Sequence, residues 1–111
     1  MKIKTNQLTG AALDWAVTKI EAERKLFTIY PQYITPYSTE WAQGGPIIER
    51  DEISISREFA SGRIEWAAWT PAPIRDDAEA FGYGPTPLIA AMRCYVTSKL
   101  GDEVEIPEEL K

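Results

Sequence analysis

With 111 residues, 44% of them hydrophobic and 26% charged, the chain has the size and composition of an ordinary globular domain, which buries about 65% of the surface its unfolded form exposes. This excludes wholesale disorder, and no apolar run approaches the ~20 residues of a membrane-spanning helix. The net charge of -5 disfavours nucleic-acid binding, because affinity for a phosphate backbone comes mainly from Lys and Arg.

Histidine is absent and Cys94 is the only cysteine. The first fact removes the commonest general base and the commonest transition-metal ligand, so no Ser-His or Cys-His pair exists within the chain. Together they exclude a zinc site of the usual kind and leave carboxylates and carbonyls for a hard ion such as magnesium. A lone cysteine excludes an intramolecular disulfide and agrees with a reducing compartment. Met1-Lys2-Ile3-Lys4 leads into polar residues instead of a signal-peptide core, and a cytoplasmic location is expected.

In chain order, Thr9 is read as the N-cap of a helix running to about Glu23, with Ala12, Leu13, Ala16, Val17 and Ile20 at helical spacing on its core face. Leu8, Ala11, Trp15 and Ala22 fall roughly 140° away at ~100° per residue, so Trp15 calls for a second partner surface. Lys25 to Tyr30 reads as a short strand that Pro31 ends, and Pro31 to Ser38 as an irregular surface segment. Trp41 to Arg50 reads as a short interrupted helix, broken at Gly44-Gly45 and restarted by Pro46.

Ile53 to Phe59 and Arg63 to Trp69 alternate around Ala60-Ser61-Gly62, the pattern of a hairpin. Ile53, Ile55 and Phe59 share one strand face, Ile64, Trp66 and Ala68 another, and Trp69 points opposite to Trp66. Thr70 to Pro85 reads as a long connection holding at most one helical turn, the most mobile part of the chain. The last helix is expected from Pro87 to about Leu100, capped by Thr86 and stopped by Gly101. Its second arc of small residues, including Ala90 and Cys94, predicts cover by another segment or another subunit. The acidic tail from Asp102 to Lys111 is expected to form one turn.

The expected architecture is α+β: a small, mainly antiparallel three-stranded sheet covered by two longer helices, with a short interrupted helix after the first strand. One domain is expected over residues 1–111, with the acidic tail at 102–111.

Leu8-Thr9-Gly10-Ala11-Ala12-Leu13-Asp14-Trp15-Ala16-Val17, Trp41 to Arg50, Gly84 to Val96, and Lys99-Leu100-Gly101-Asp102-Glu103-Val104-Glu105 together resemble the NinX family of small proteins of lambdoid bacteriophages and their prophages. The stretches from Ala22 to Thr35 and from Phe59 to Tyr83 fall outside that resemblance. It carries no catalytic residues onto this chain and implies a phage or prophage accessory protein.

Trp41-Ala42-Gln43-Gly44-Gly45 has the makings of a binding loop, with a stacking face, a donor-acceptor amide and an approachable backbone, and Arg50 adds an anion contact. The alternative is a tight turn anchored by Trp41. Gly84-Pro85-Thr86-Pro87 opens a helix that can hold a phosphate or carboxylate, with Tyr83 and Arg93 beside it; the alternative is an ordinary capped helix. Asp76, Asp77 and Glu79 are of the residue types that hold magnesium, but without known ligand spacing they read as a solvated acidic loop, and no metal site and no cofactor is expected. The acidic tail suits a basic partner.

Trp15, Trp66 and Trp69 cannot all point inward, which favours interaction over catalysis. The expected function is therefore a non-catalytic accessory protein that binds and regulates or inhibits a host or phage protein, with self-association through its second apolar stripes. The alternative is a binder of a small anionic, nucleotide-like ligand using Trp41, Gln43, Arg50, Tyr83 and Arg93. A carboxylate- or metal-dependent enzyme ranks last. Neither nucleic acid nor membrane is expected as a partner.

Overall fold

The computed structural model describes residues 1–25, 34–60, 62–71 and 80–110. Helix α1 (Gly10–Lys25) starts after Thr9, whose carbonyl accepts the Leu13 N–H at 3.4 Å. Leu13, Ala16 and Val17 are fully buried, as their spacing predicts. The strand expected at Lys25 to Tyr30 begins on the last residue of this helix; its remainder lies outside the described residues.

Helix α2 (Trp41–Arg50) is continuous, which corrects the expected interruption at Gly44-Gly45. Gly44 is turned inward, where a Cβ would come within 2.6 Å of both the Leu88 side chain and the Tyr37 carbonyl oxygen. The glycine is there for close packing, and that packing together with buried Ile47 holds a helix that local propensity disfavours. Pro46 sits on its exposed side.

Strands β2 (Ser54–Ala60) and β3 (Arg63–Trp69) pair antiparallel, with Arg57 opposite Trp66 and Phe59 opposite Ile64, as the alternation predicts. Gly62 takes a φ of 75° between them, a conformation glycine adopts without steric cost. The third strand, β4 (Phe81–Gly84), adds to the other side of β3. It lies inside the stretch from Thr70 to Pro85 read as a connection, because two glycines in four residues look like a chain breaker. The α+β class with a three-stranded antiparallel sheet is as expected.

Register explains the glycines. Gly82 opposes Ala68 and Gly84 opposes Trp66, so these four residues share one face of the sheet. Helix α3 (Pro87–Leu100) packs on that face so closely that a Cβ on Gly82 would collide with the backbones of Ala90 and Cys94. The small-residue arc of α3 is therefore covered by the chain's own sheet, not by a second subunit. Helix α1 packs on α3 as well, and Met92, Tyr95 and Val96 are fully buried. Trp15 is half-buried against this core with the Lys19 ammonium 5.5 Å from its ring centre.

Asp102 to Glu105 is not a tail. Glu103–Glu105 forms strand β5, paired antiparallel with β1 (Lys2–Lys4), and places Lys2 opposite Glu105 and Lys4 opposite Glu103. Opposite charges face each other, and Val104 and Ile106 are buried. The Thr5 N–H donates to the Asp102 carbonyl at 2.7 Å, and the Thr5 hydroxyl to Gly101 at 2.6 Å. The expected acidic turn is the short 3-10 turn Glu108–Leu110. Among the described residues no helix is long and apolar enough to cross a membrane.

Gly82→Ala is expected to push β4 off α3 and lower unfolding free energy by about 3 kcal/mol, the upper range for overpacking. A urea melt checks it. Gly45→Ala, where added volume meets nothing, should change stability in the opposite direction, by up to about 1 kcal/mol.

Candidate functional site

Among the described residues, one linked polar cluster is internal. Glu21 on α1 is 1% exposed, and its two carboxylate oxygens accept from Arg50 Nη1 and Nη2, each at 3.1 Å. The Tyr95 hydroxyl donates to Glu21 at 2.6 Å and accepts from Arg50 Nη2 at 2.9 Å. Arg50 Nε donates to Asp51 at 2.9 Å. One carboxylate thus ties α1 to α2 and α3, and Arg50 is engaged with the protein itself. Burial alone pushes the Glu21 carboxyl upward, but the hydrogen bonds from Arg50 and Tyr95 and the charges of Arg50 and Lys25 hold it below the usual range. Tyr95 is pushed up by burial and by Glu21.

A second buried carboxylate, Asp14, accepts the Ser38 N–H at 2.8 Å and so fixes the chain entering α2. Burial raises it, and the bond from the Ser38 N–H opposes the rise. Cys94 is buried and donates to the Ala80 carbonyl at 3.3 Å. Burial pushes its thiol up to about 12, which leaves almost no thiolate at neutral pH.

The expected ligand residues separate into different places. Trp41 stands 53% exposed at a shallow cleft of about 230 Å³ with Ser38, Thr86 and Leu88, so the two most distinctive sequence motifs do meet. At that cleft Thr86 accepts the Ile89 N–H at 3.1 Å, the ordinary cap. Gln43 is exposed on α2, and Gly44 is sealed by Leu88 and Tyr37. Gly45 lines a separate depression beside Arg50.

Tyr83 and Arg93 do come together. Arg93 Nε donates to the Leu8 carbonyl at 2.8 Å and Nη1 to the Tyr83 carbonyl at 2.6 Å. Both residues line a cleft of about 460 Å³ with Asn6, Glu65 and Pro85. Burial lowers the basicity of Arg93, and the charge of Glu65 works against that fall. The Tyr83 N–H donates to Asn6 Oδ1 at 3.0 Å, so both backbone polar groups of Tyr83 are held.

The outer face of the sheet carries the remaining feature. Ser54, Trp69 and Phe81 lie side by side across three strands, as do Ser56, Ala67 and Tyr83, with Glu58 directly opposite Glu65. Phe81 is 43% and Tyr83 44% exposed. Trp69 is half-buried. On the other face, beyond the reach of α3, Phe59 and Ile64 are exposed as a cross-strand pair at the hairpin tip. Asp76, Asp77 and Glu79 lie outside the described residues.

Sequence reasoning missed Asp14 and Glu21, although both flank the core stripe of α1, where a carboxylate signals a buried partner. It missed Phe81 as well, because no strand was expected there.

Arg50→Met is expected to cost about 2 kcal/mol, discounted for the partial exposure of Arg50, since it strands a buried carboxylate. The double change with Glu21→Met should recover part of that loss in urea melts. Because Glu21 is depressed in the folded state, its contribution is complete above the ordinary Glu range and is lost as pH falls through its lowered value. The acid limb of the stability profile should flatten in Glu21→Gln, whereas Asp14, raised by burial, contributes with the opposite sign.

Among curated proteins no match to the chain is found. The family model described as Bacteriophage P22, NinX matches residues 4–99. That span runs from β1 through nearly all of α3, including the buried carboxylates and the outer sheet face, and the chain therefore belongs to the NinX family of phage proteins.

Proposed function

We propose that this phage protein is non-catalytic and acts in the host cytoplasm by binding another protein, of host or phage, to regulate or inhibit it, with the outer face of the sheet as its contact surface. The observation that carries this reading is the aromatic cluster of Trp69 and Phe81, paired across strands, with Tyr83 two residues along β4, on a sheet whose other side is fixed by α3. Aromatic side chains presented rigidly lose little entropy on docking and dominate interface cores. Exposed apolar patches on small proteins mark contact sites. Self-association would use the same sheet face, since the small-residue arc of α3 is covered by the chain's own sheet.

A second reading, a small anionic ligand, is favoured by the cleft in which Arg93 and Tyr83 meet. Saturation of that cleft by a nucleotide at 100 times its dissociation constant would stabilise by about 2.7 kcal/mol. A thermal-shift panel reads this directly, and Arg93→Met should abolish any shift found.

For the protein-binding reading, Phe81→Ser combined with Tyr83→Ser should abolish capture of a partner from infected-cell lysate while leaving Tm within about 5 °C of wild type. Trp41→Ser should leave capture intact. Capture by the double variant equal to wild type would sink the reading. Light scattering on the purified protein shows whether that partner is a second copy.

A further inference from the structure

We propose that the outer sheet face takes an arginine side chain of its partner protein, seated between Trp69, Phe81 and Tyr83 with Glu58 and Glu65 beside it; this rests on the protein-binding reading above. The three aromatic residues, with Glu58, line a hollow of about 260 Å³. Its floor is Ala67, 4% exposed although it points to the outer side. A small residue between Trp69 along its own strand and Tyr83 across from it leaves the hollow.

Two observations give the occupant its charge and shape. Glu58 lines the hollow, and Glu65, opposite it across the strands, adds negative charge at its edge while also acting on Arg93. The aromatic faces beside them attract cations through their quadrupoles. The hollow is open and shallow, which suits a planar guanidinium that stacks on a ring while its edge donates to a carboxylate. A compact ammonium, strongly hydrated and without a flat face, gains less there. The net charge of -5 steers a basic partner toward the protein at long range.

The test uses the full chain and two probes, acetyl-Gly-Arg-Gly-amide and the same peptide with neutral citrulline, followed by amide and indole NMR shifts at low salt. The arginine peptide should shift the Trp69 indole and the Glu58, Phe81 and Tyr83 amides to saturation, and citrulline should bind about fivefold more weakly. Glu58→Gln should weaken the arginine peptide about threefold. Ala67→Leu, which fills the hollow without altering charge, should abolish the shifts. Equal binding of citrulline, no saturable shift at these residues, or an unchanged response in a folded Ala67→Leu variant would overturn the proposal. If it is overturned while the Phe81 and Tyr83 serine variant still loses its partner, the contact surface stands and its occupant is not arginine. If that variant keeps its partner, the protein-binding reading fails with it.

Discussion

At Gly82 the backbone of strand β4 rests on the backbone of helix α3 with no side chain between them, and most of the architecture depends on that approach. Side chains in a strand alternate between faces. Glycines at 82 and 84 on the helix side therefore send Phe81 and Tyr83 to the other side. The usual amphipathic order is inverted: the strand's large residues face outward because its inner face has no room for them. Close contact on one face and aromatic exposure on the other are one constraint, written in four residues.

That constraint also explains the composition of α3. A helix touching a sheet through backbone needs small residues there, and Ala90 and Cys94 supply them. Its opposite side meets α1 and α2 through larger residues, with Tyr95 reaching the Glu21–Arg50 pair. The pair fixes geometry more than it adds stability, since desolvation offsets much of the attraction between buried charges. Apolar faces alone would let α1 and α2 slide over α3; a bidentate bond at 3.1 Å on each arm does not.

The elements legible in the sequence were those whose signals are local. The cap at Thr86, the stop at Gly101 and the hairpin around Gly62 each depend on a few neighbouring residues, and each lies where the residue types place it. Gly44 and Gly82 were misread for a common reason: a glycine that permits close packing looks the same, in sequence, as one that breaks a chain. What separates them is a distant partner, Leu88 in one case and Ala90 in the other. The β1–β5 pairing, which links positions about a hundred residues apart, leaves no local trace except alternating charge. At the candidate site, Tyr83 and Arg93 were recognised for their chemistry, but Arg50 was assigned to a ligand because its carboxylate partner sits on another helix.

The outer face is hard to explain as a by-product of packing. Exclusion from the helix side forces positions 81 and 83 outward, but it does not require that they be aromatic; serine or threonine would satisfy a solvated strand. Trp69 reaches the same row from β3, where no glycine constraint acts on it. Two independent strands thus place large rings side by side, a cross-strand pair worth up to about 1 kcal/mol to the sheet that still leaves Phe81 43% exposed. Ala67 interrupts the rings where a larger residue would cover more apolar area, and Glu58 and Glu65 face each other where opposite charges would be more stable. Rings, alanine and Glu58 share one hollow above the α3 contact that holds the sheet, and the proposed arginine contact rests on that arrangement.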